Sequence, residues 1–313
     1  VDKMDKIAVI DIGTNTFHLL VVEVAGEDIQ VIHKEKISVM LGKGGISEAR
    51  ITDAAQSRAL ETLKYFKGKI EEYQVGKVFA SATSAMRNAI NGKEFVQKVL
   101  KETDIKINVI SGKEEAQFIH KGVKKAMRIG QKPALIMDIG GGSVEFIVCD
   151  EQNIFWLESF EIGAQRLLDK FHKHDPISKI DINNLYGYLE EELKPLLNEL
   201  KNWNPHELIG SSGTFDTLVD MAYARKNKAK PNNNSFSLGL DEFQLLFDEI
   251  IHKNREERMA IPGMIEMRVD MIVVAICLIQ FLLQHHEFNV IQVSTYALKE
   301  GVLEAIIQKE ITV

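Results

Sequence analysis

Cysteine is nearly absent. Cys149 and Cys277 are the only two, and neither belongs to a C-x-x-C pair, so neither a disulfide framework nor a structural zinc site is supported and a cytoplasmic location is expected. Long hydrophobic runs are missing as well. The longest nearly unbroken one, residues 272–283, has 12 residues with Gln280 inside it, which suits a buried helix rather than a membrane span. No secretory signal pattern is visible, and no membrane partner is expected. Positive charge is also short, with 38 Lys and Arg against 45 Asp and Glu for a formal net charge of −7. Non-specific nucleic-acid binding normally needs a basic face, so DNA is not an expected partner. A polyanionic substrate stays compatible with this charge, because local basic patches set the field in a cleft.

What is present is a repeat. Residues 7–24 read I-A-V-I-D-I-G-T-N-T-F-H-L-L-V-V-E-V, and residues 134–150 read A-L-I-M-D-I-G-G-G-S-V-E-F-I-V-C-D. Superposing Asp11 on Asp138 pairs Gly13 with Gly140, Thr16 with Ser143 and His18 with Glu145. Each copy predicts a buried strand ending in Asp, a tight turn of Gly and hydroxyl residues, and a second strand. The turn N–H groups can converge on an anion, and the glycines are expected there for positive φ and for close approach of a phosphate to the main chain. A chain of 313 residues with 45% hydrophobic content can bury two cores. Two copies of one motif then predict two similar domains with a ligand between them.

Along the chain, alternation over residues 28–40 predicts a third strand, and an apolar stripe from Thr52 through Ala55, Ala59, Leu63, Phe66 and Ile70 predicts a helix. A strand at residues 77–80 then runs through Ser81-Ala82-Thr83-Ser84 into a helix bearing Arg87. Free N–H groups at a helix start and a guanidinium make an anion site, although an N-cap followed by a surface arginine has the same pattern. After a strand at residues 105–110, Ser111 and Glu114 have the spacing of a capping box. That leaves Glu115, which shares a helical stripe with Ile119, Gly122 and Ala126 and so faces packed or cleft surface. It is a candidate general base; the alternative is a second acidic residue complementing the helix dipole.

Gln131-Lys132-Pro133 is the expected boundary, placing one domain at residues 1–131 and the second at 132–295. Helices are expected at residues 163–171 and 182–200, the latter kinked or split by Pro195, at 241–251 and at 269–283. Gly210-Ser211-Ser212-Gly213-Thr214 forms a further strand-to-helix junction; one such junction is weak evidence for phosphate binding, several together are not. Residues 225–234 read as a polar loop carrying Lys226, Lys228 and Lys230, either solvated or touching a long anion.

These segments resemble the exopolyphosphatase and guanosine pentaphosphate phosphohydrolase (Ppx/GppA) family, in its short two-domain form. The matching stretches are D-I-G-T-N-T-F-H from Asp11, S-A-T-S-A-M-R from Ser81, I-S-G-K-E-E-A from Ile110, D-I-G-G-G-S-V-E from Asp138, G-S-S-G-T from Gly210 and Y-A-L-K-E-G-V-L from Tyr296. The resemblance implies a duplicated actin-like (ribonuclease-H-like) α/β fold, each domain a five-stranded mixed sheet with flanking helices, the active site in the interdomain cleft, and a closing helix within residues 296–313 returning to the first domain. It implies hydrolysis of a terminal phosphoanhydride of inorganic polyphosphate or of pppGpp, the nucleotide of the stringent response, with release of orthophosphate. By position in the motifs, Glu115 would activate the water and Arg87 would bind phosphate. Asp138 and Glu145 would hold a divalent metal, Mg²⁺ by preference, with Asp11 assisting through a water. Gly13, Thr14, Asn15, Thr16, Gly140, Gly141, Gly142, Ser143, Ser212, Gly213 and Thr214 would supply N–H and hydroxyl donors to the phosphate chain. For His18 a packing or supporting role is favoured over ligation. A homodimer is compatible with the sequence.

Two other readings compete. An actin-like kinase would need an aspartate base beside an acceptor pocket and an adenine site in the second domain, whereas the sequence has a Glu after S-G-K in the first. A non-catalytic sensor of guanosine tetra- or pentaphosphate would need neither Glu115 nor Arg87.

Overall fold

The computed structural model describes residues 5–26 and 28–311. The chain divides into two compact units, one running up to Lys121 and resuming at Leu298, the other Gly122–Ala297. The first holds strands β1 (Asp5–Ile12), β2 (Thr16–Ala25), β3 (Asp28–Ser38), β4 (Lys77–Ala82) and β5 (Ile107–Val109) in the order β3-β2-β1-β4-β5. The second holds β6 (Ala134–Ile139), β7 (Val144–Cys149), β8 (Ile154–Phe160), β9 (Glu207–Ser211), β10 (Ser235–Leu238) and β11 (Val290–Ser294). Read from β8, its order is β8-β7-β6-β9-β11-β10.

The duplication therefore extends from the hairpin to the whole sheet. In each unit a hairpin and a third antiparallel strand lie on one side, and the first strand pairs in parallel with the strand that follows the helical insertion. The second sheet departs from the expected five strands by one. β10 adds antiparallel to β11 at the edge, Phe236 opposite Val293 and Leu238 opposite Ile291, and two buried apolar residues in S-F-S-L suffice to anchor it.

In the first unit α1 (Asp53–Glu72) starts at Thr52, whose side chain caps Ala55 N–H, and buries Ala55, Ala59, Leu63, Phe66 and Ile70. It packs on α3 (Gly92–Thr103), and α12 (Leu298–Ile307) packs on β1. The short α2 (Ser84–Asn88) follows β4, and α4 (Gly112–Ala126) follows β5. In the second unit α5 (Ala164–Phe171), α6 (Lys179–Glu192) and α7 (Lys194–Trp203) precede β9, with Pro195 in the first turn of α7 where its missing N–H costs nothing. After β9 come α8 (Gly213–Arg225), α9 (Leu240–Ile251), α10 (Arg255–Met259) and α11 (Met271–His285).

α11 contains the longest apolar run, and eleven of its residues are buried in the second core. Burying each large aliphatic side chain contributes about 1.5–3 kcal/mol. Among the described residues no helix is long and apolar enough to cross a membrane.

Candidate active site

Strand register places the proposed functional residues before any ligand is considered. Register partners project from the same face of a sheet. In the first unit, one row across the sheet reads Lys36, His18, Asp11, Ser81, Asn108, one residue per strand. In the second, the corresponding row reads Ser159, Glu145, Asp138, Ser211, Ser294, Ser235. Asp11 thus stands opposite His18 as Asp138 stands opposite Glu145, and Ser81 and Ser211 flank the two aspartates in the same way. A slip of one residue in any strand would turn its member to the other face.

The two turns share one geometry. Gly13 N–H donates to Thr16 O at 3.1 Å, and Gly140 N–H donates to Ser143 O at 3.0 Å. The glycines are needed, but not for positive φ as the sequence suggests. Left-handed glycines among the described residues are Gly26, Gly44 and Gly263. The constraint is steric: a Cβ on Gly13 would lie 2.8 Å from Thr16 O, and one on Gly140 would lie 2.9 Å from Ser143 O.

The carbonyls of both turns are occupied from behind. Thr14 O accepts from Gly42 N, and Asn15 O accepts from Val39 and Met40 N. In the second copy, the N–H groups of Gly163, Ala164 and Gln165 at the start of α5 donate to Gly142, Gly140 and Gly141 O, and Arg166 Nε donates to Gly142 O at 2.8 Å. A peptide whose oxygen points one way has its N–H pointing the other. Accordingly, the N–H groups of Gly141, Gly142 and Ser143 have no protein acceptor among the described residues, as an anion-binding nest requires. The hydroxyl of Thr14 is buried with no hydrogen-bond partner among the described residues, an orphan donor of the kind a ligand oxygen satisfies.

The two carboxylates of the second row are buried and held by serines. Asp138 accepts from Ser211 Oγ at 2.6 Å and from Ser212 Oγ at 2.7 and 2.8 Å, and Glu145 accepts from Ser159 Oγ at 2.6 Å. Two opposed carboxylates with fixed orientation fit a hard cation. No group of three or more His, Cys, Asp or Glu suited to a metal occurs among the described residues, and Mg²⁺, which keeps several waters and takes one or two carboxylates plus phosphate oxygens, needs none.

At the G-S-S-G-T junction, Ser212 adopts φ 71°, and its hydroxyl turns to Asp138 instead of capping α8. The first N–H groups of α8 therefore keep the character of an anion site. Gly210 and Gly213 each make room for a side chain. A Cβ on Gly210 would strike the Phe215 ring at 2.1 Å, and one on Gly213 would strike Nη2 of Arg268 at 1.9 Å.

Arg268 is the residue that sequence reasoning missed. Its guanidinium lies against the start of α8. Desolvation pulls its proton affinity below the ordinary arginine range, opposed by the charges of Asp216 and Asp138. No motif surrounds it in M-I-E-M-R-V-D, where three of the seven residues are charged, so nothing local sets this arginine apart from a surface one.

In the first unit, Glu115 and Glu114 face as helical spacing predicts. Glu114 is exposed and completes the capping box: its Oε2 accepts from Ser111 N at 2.8 Å and from Ser111 Oγ at 2.7 Å, holding its carboxyl below the usual range. Glu115 is buried. Its Oε2 accepts from Arg87 Nη1 at 2.9 Å, and the same nitrogen donates to Ile110 O at 3.1 Å. Two residues singled out on separate grounds, 28 positions apart, are thus joined in one ion pair. In the 225–234 loop, Lys226 pairs with Glu242 at 2.6 Å and Lys230 with Asp220 at 2.8 Å, within their own unit.

Known proteins carry the same architecture. A crystal structure of an exopolyphosphatase from Cytophaga hutchinsonii is 44% identical, covers 97% of this chain and 98% of its own, and superposes with a TM-score of 0.95. The Aquifex aeolicus member of the Ppx/GppA family, 24% identical over 99% of this chain and 100% of its own, shares the fold with a TM-score of 0.79. The sequence model of the Ppx/GppA phosphatase family matches residues 20–310. With the duplicated sheet, its two glycine turns and this match along nearly the full length, the chain belongs to the Ppx/GppA phosphatase family.

Proposed function

We propose that the chain is an exopolyphosphatase that hydrolyses the terminal phosphoanhydride bond of inorganic polyphosphate, and the corresponding bond of guanosine pentaphosphate more slowly. The observation that carries this reading is the 2.9 Å contact between buried Glu115 and Arg87. A base and an anion-binding cation stand side by side at the start of a helix, which is what attack of water on a phosphoryl group requires. The 44% identity to an exopolyphosphatase structure favours the inorganic chain as the preferred substrate.

In the reaction, Arg87 turns from Glu115 to the terminal phosphoryl oxygens. Glu115 accepts a proton from water as the water oxygen bonds to the terminal phosphorus. The bridging P–O bond breaks with its electron pair leaving on the shortened chain, and orthophosphate is released. The N–H groups of Gly141, Gly142 and Ser143, the turn Gly13–Thr16, the start of α8 at Ser212–Thr214, and Arg268 bind phosphoryl oxygens in ground and transition states. Asp138 and Glu145 would hold a divalent cation, Mg²⁺ by preference, with Asp11 in support; bound there, it would neutralise charge on the phosphoryl oxygens.

Phosphate release from polyphosphate, pppGpp and ATP, assayed side by side with Mg²⁺ and again with a chelator, tests this. The expected result is fastest release from polyphosphate and loss of release on chelation. Phosphate transfer from ATP to an added acceptor without release would favour a kinase, and binding of pppGpp with no release from any substrate would favour a sensor.

A further inference from the structure

The segment carrying Arg268, residues 260–270, lies between α10 and α11 and is tied at both ends within its own unit. At its start, Gly263 adopts φ 90°, and a Cβ there would lie 2.6 Å from the backbone nitrogen of Met221 in α8. At its end, Arg258 Nε donates to the carbonyl of Val269, the residue after Arg268, at 2.9 Å. Arg258 is fully buried, the largest such side chain among the described residues. Its Nη1 donates to Lys253 O at 2.6 Å and pairs with Asp175 at 2.5 Å. A second tie comes from Arg255, whose Nε bonds both carboxylate oxygens of Asp270 at 3.1 and 3.3 Å.

A buried arginine is costly, and an apolar side chain of similar volume would fill its space at least as well. What the guanidinium supplies, and an apolar residue cannot, is charge-assisted hydrogen bonding to two main-chain carbonyls at fixed positions. One of those carbonyls is adjacent to Arg268, whose own guanidinium leaves no room for a Cβ at Gly213.

We propose that Arg258 is a positioning residue for the reaction, fixing the main chain immediately after Arg268, at Val269, so that the Arg268 guanidinium stands at the start of α8 where phosphate binds. The inference rests on the reading of Arg268 as a phosphate contact given above. A displacement of about 1 Å in such a group can cost on the order of a hundredfold in rate, so loss of the tie should be visible in kinetics.

The test is a cycle of polyphosphate hydrolysis with Arg258→Met, Arg268→Met and the double variant, the fold of each checked by thermal unfolding and far-UV circular dichroism. Arg258→Met is expected to lower kcat/KM at least tenfold, largely through KM, and the double variant to be no worse than Arg268→Met within a factor of two. A purely structural role predicts independent penalties that multiply. Wild-type kinetics in folded Arg258→Met, or multiplying penalties, would overturn the proposal. Should Arg258→Met not fold, Arg255→Gln loosens the same segment from an exposed position; about a threefold fall in kcat/KM that vanishes in the Arg268→Met background supports the proposal, and unchanged kinetics overturns it. Wild-type kinetics in Arg268→Met itself would remove the phosphate role of Arg268 and the positioning role with it, a result distinct from failure of the tie alone.

Discussion

Replacing Arg87 by Met removes the counter-ion of a carboxylate whose side chain is 8% exposed, while the arginine's own side chain is 18% exposed. At 2.9 Å and an effective dielectric constant of about 20, the pair attraction is roughly 6 kcal/mol before desolvation. Breaking a buried pair by removing one member typically costs about 3–5 kcal/mol. Because Arg87 is partly accessible, the lower end applies, and about 3 kcal/mol is expected, or roughly 1.5 M of urea at a slope of about 2 kcal/mol/M. Glu115→Leu should cost less, about 1 kcal/mol, since the freed guanidinium can reach water. The double variant Arg87→Met/Glu115→Leu should recover at least about 2 kcal/mol relative to Arg87→Met, because matched apolar groups tolerate burial better than a buried carboxylate that has lost its guanidinium. Equilibrium urea unfolding of the four proteins gives the cycle. Equal single costs that add in the double would refute the reasoning.

Three further outcomes are expected. Gly163→Ala places a Cβ 2.4 Å from the carbonyl carbons of Gly141 and Gly142; it should displace the turn, cost about 1–3 kcal/mol and raise KM for polyphosphate, and a stable variant with unchanged KM would count against that turn as a phosphate site. Glu114 has its carboxyl held below the ordinary value by Ser111, so its stabilisation is present above the unfolded-state value and fades as pH falls through the lower folded one. Glu114→Gln should therefore lose about 0.5–1 kcal/mol at pH 7, less than that near pH 3, with activity retained; a cost independent of pH would contradict the cap. Arg87→Ala should raise KM and lower kcat together, since a phosphate clamp acts in ground and transition states, and an unchanged KM would argue against the clamp.

The parts of this site legible in the sequence are those fixed by local geometry. The duplicated hairpin could be read because Asp, Gly and the hydroxyl residues sit at fixed offsets within one turn, and the side-chain alternation of a strand then forces Asp11 opposite His18 and Asp138 opposite Glu145. The inward face of Glu115 followed from helical periodicity once Ser111 and Glu114 were recognised as the cap. Contacts made between elements were not legible. Nothing local announces that Arg87 meets Glu115, that Arg268 lies on Gly213, or that Ser159 and Ser211 complete a polar row through strand pairing. The glycines at 13 and 140 stand out in the sequence, but the reason for them does not, because a close carbonyl and a positive φ leave the same mark. The sixth strand of the second sheet is not legible because four residues with two apolar positions are too short to show a period.

The proposed mechanism turns on activation of water by Glu115 for attack on a phosphoanhydride. Its most direct test compares wild type with Glu115→Gln, measuring orthophosphate release from polyphosphate and, on the same preparations, equilibrium binding of the chain. Release is expected to fall on the order of 10²–10⁴-fold while binding stays within a few fold, since the amide keeps the shape of the side chain but cannot take the proton. Near wild-type release by Glu115→Gln would contradict it.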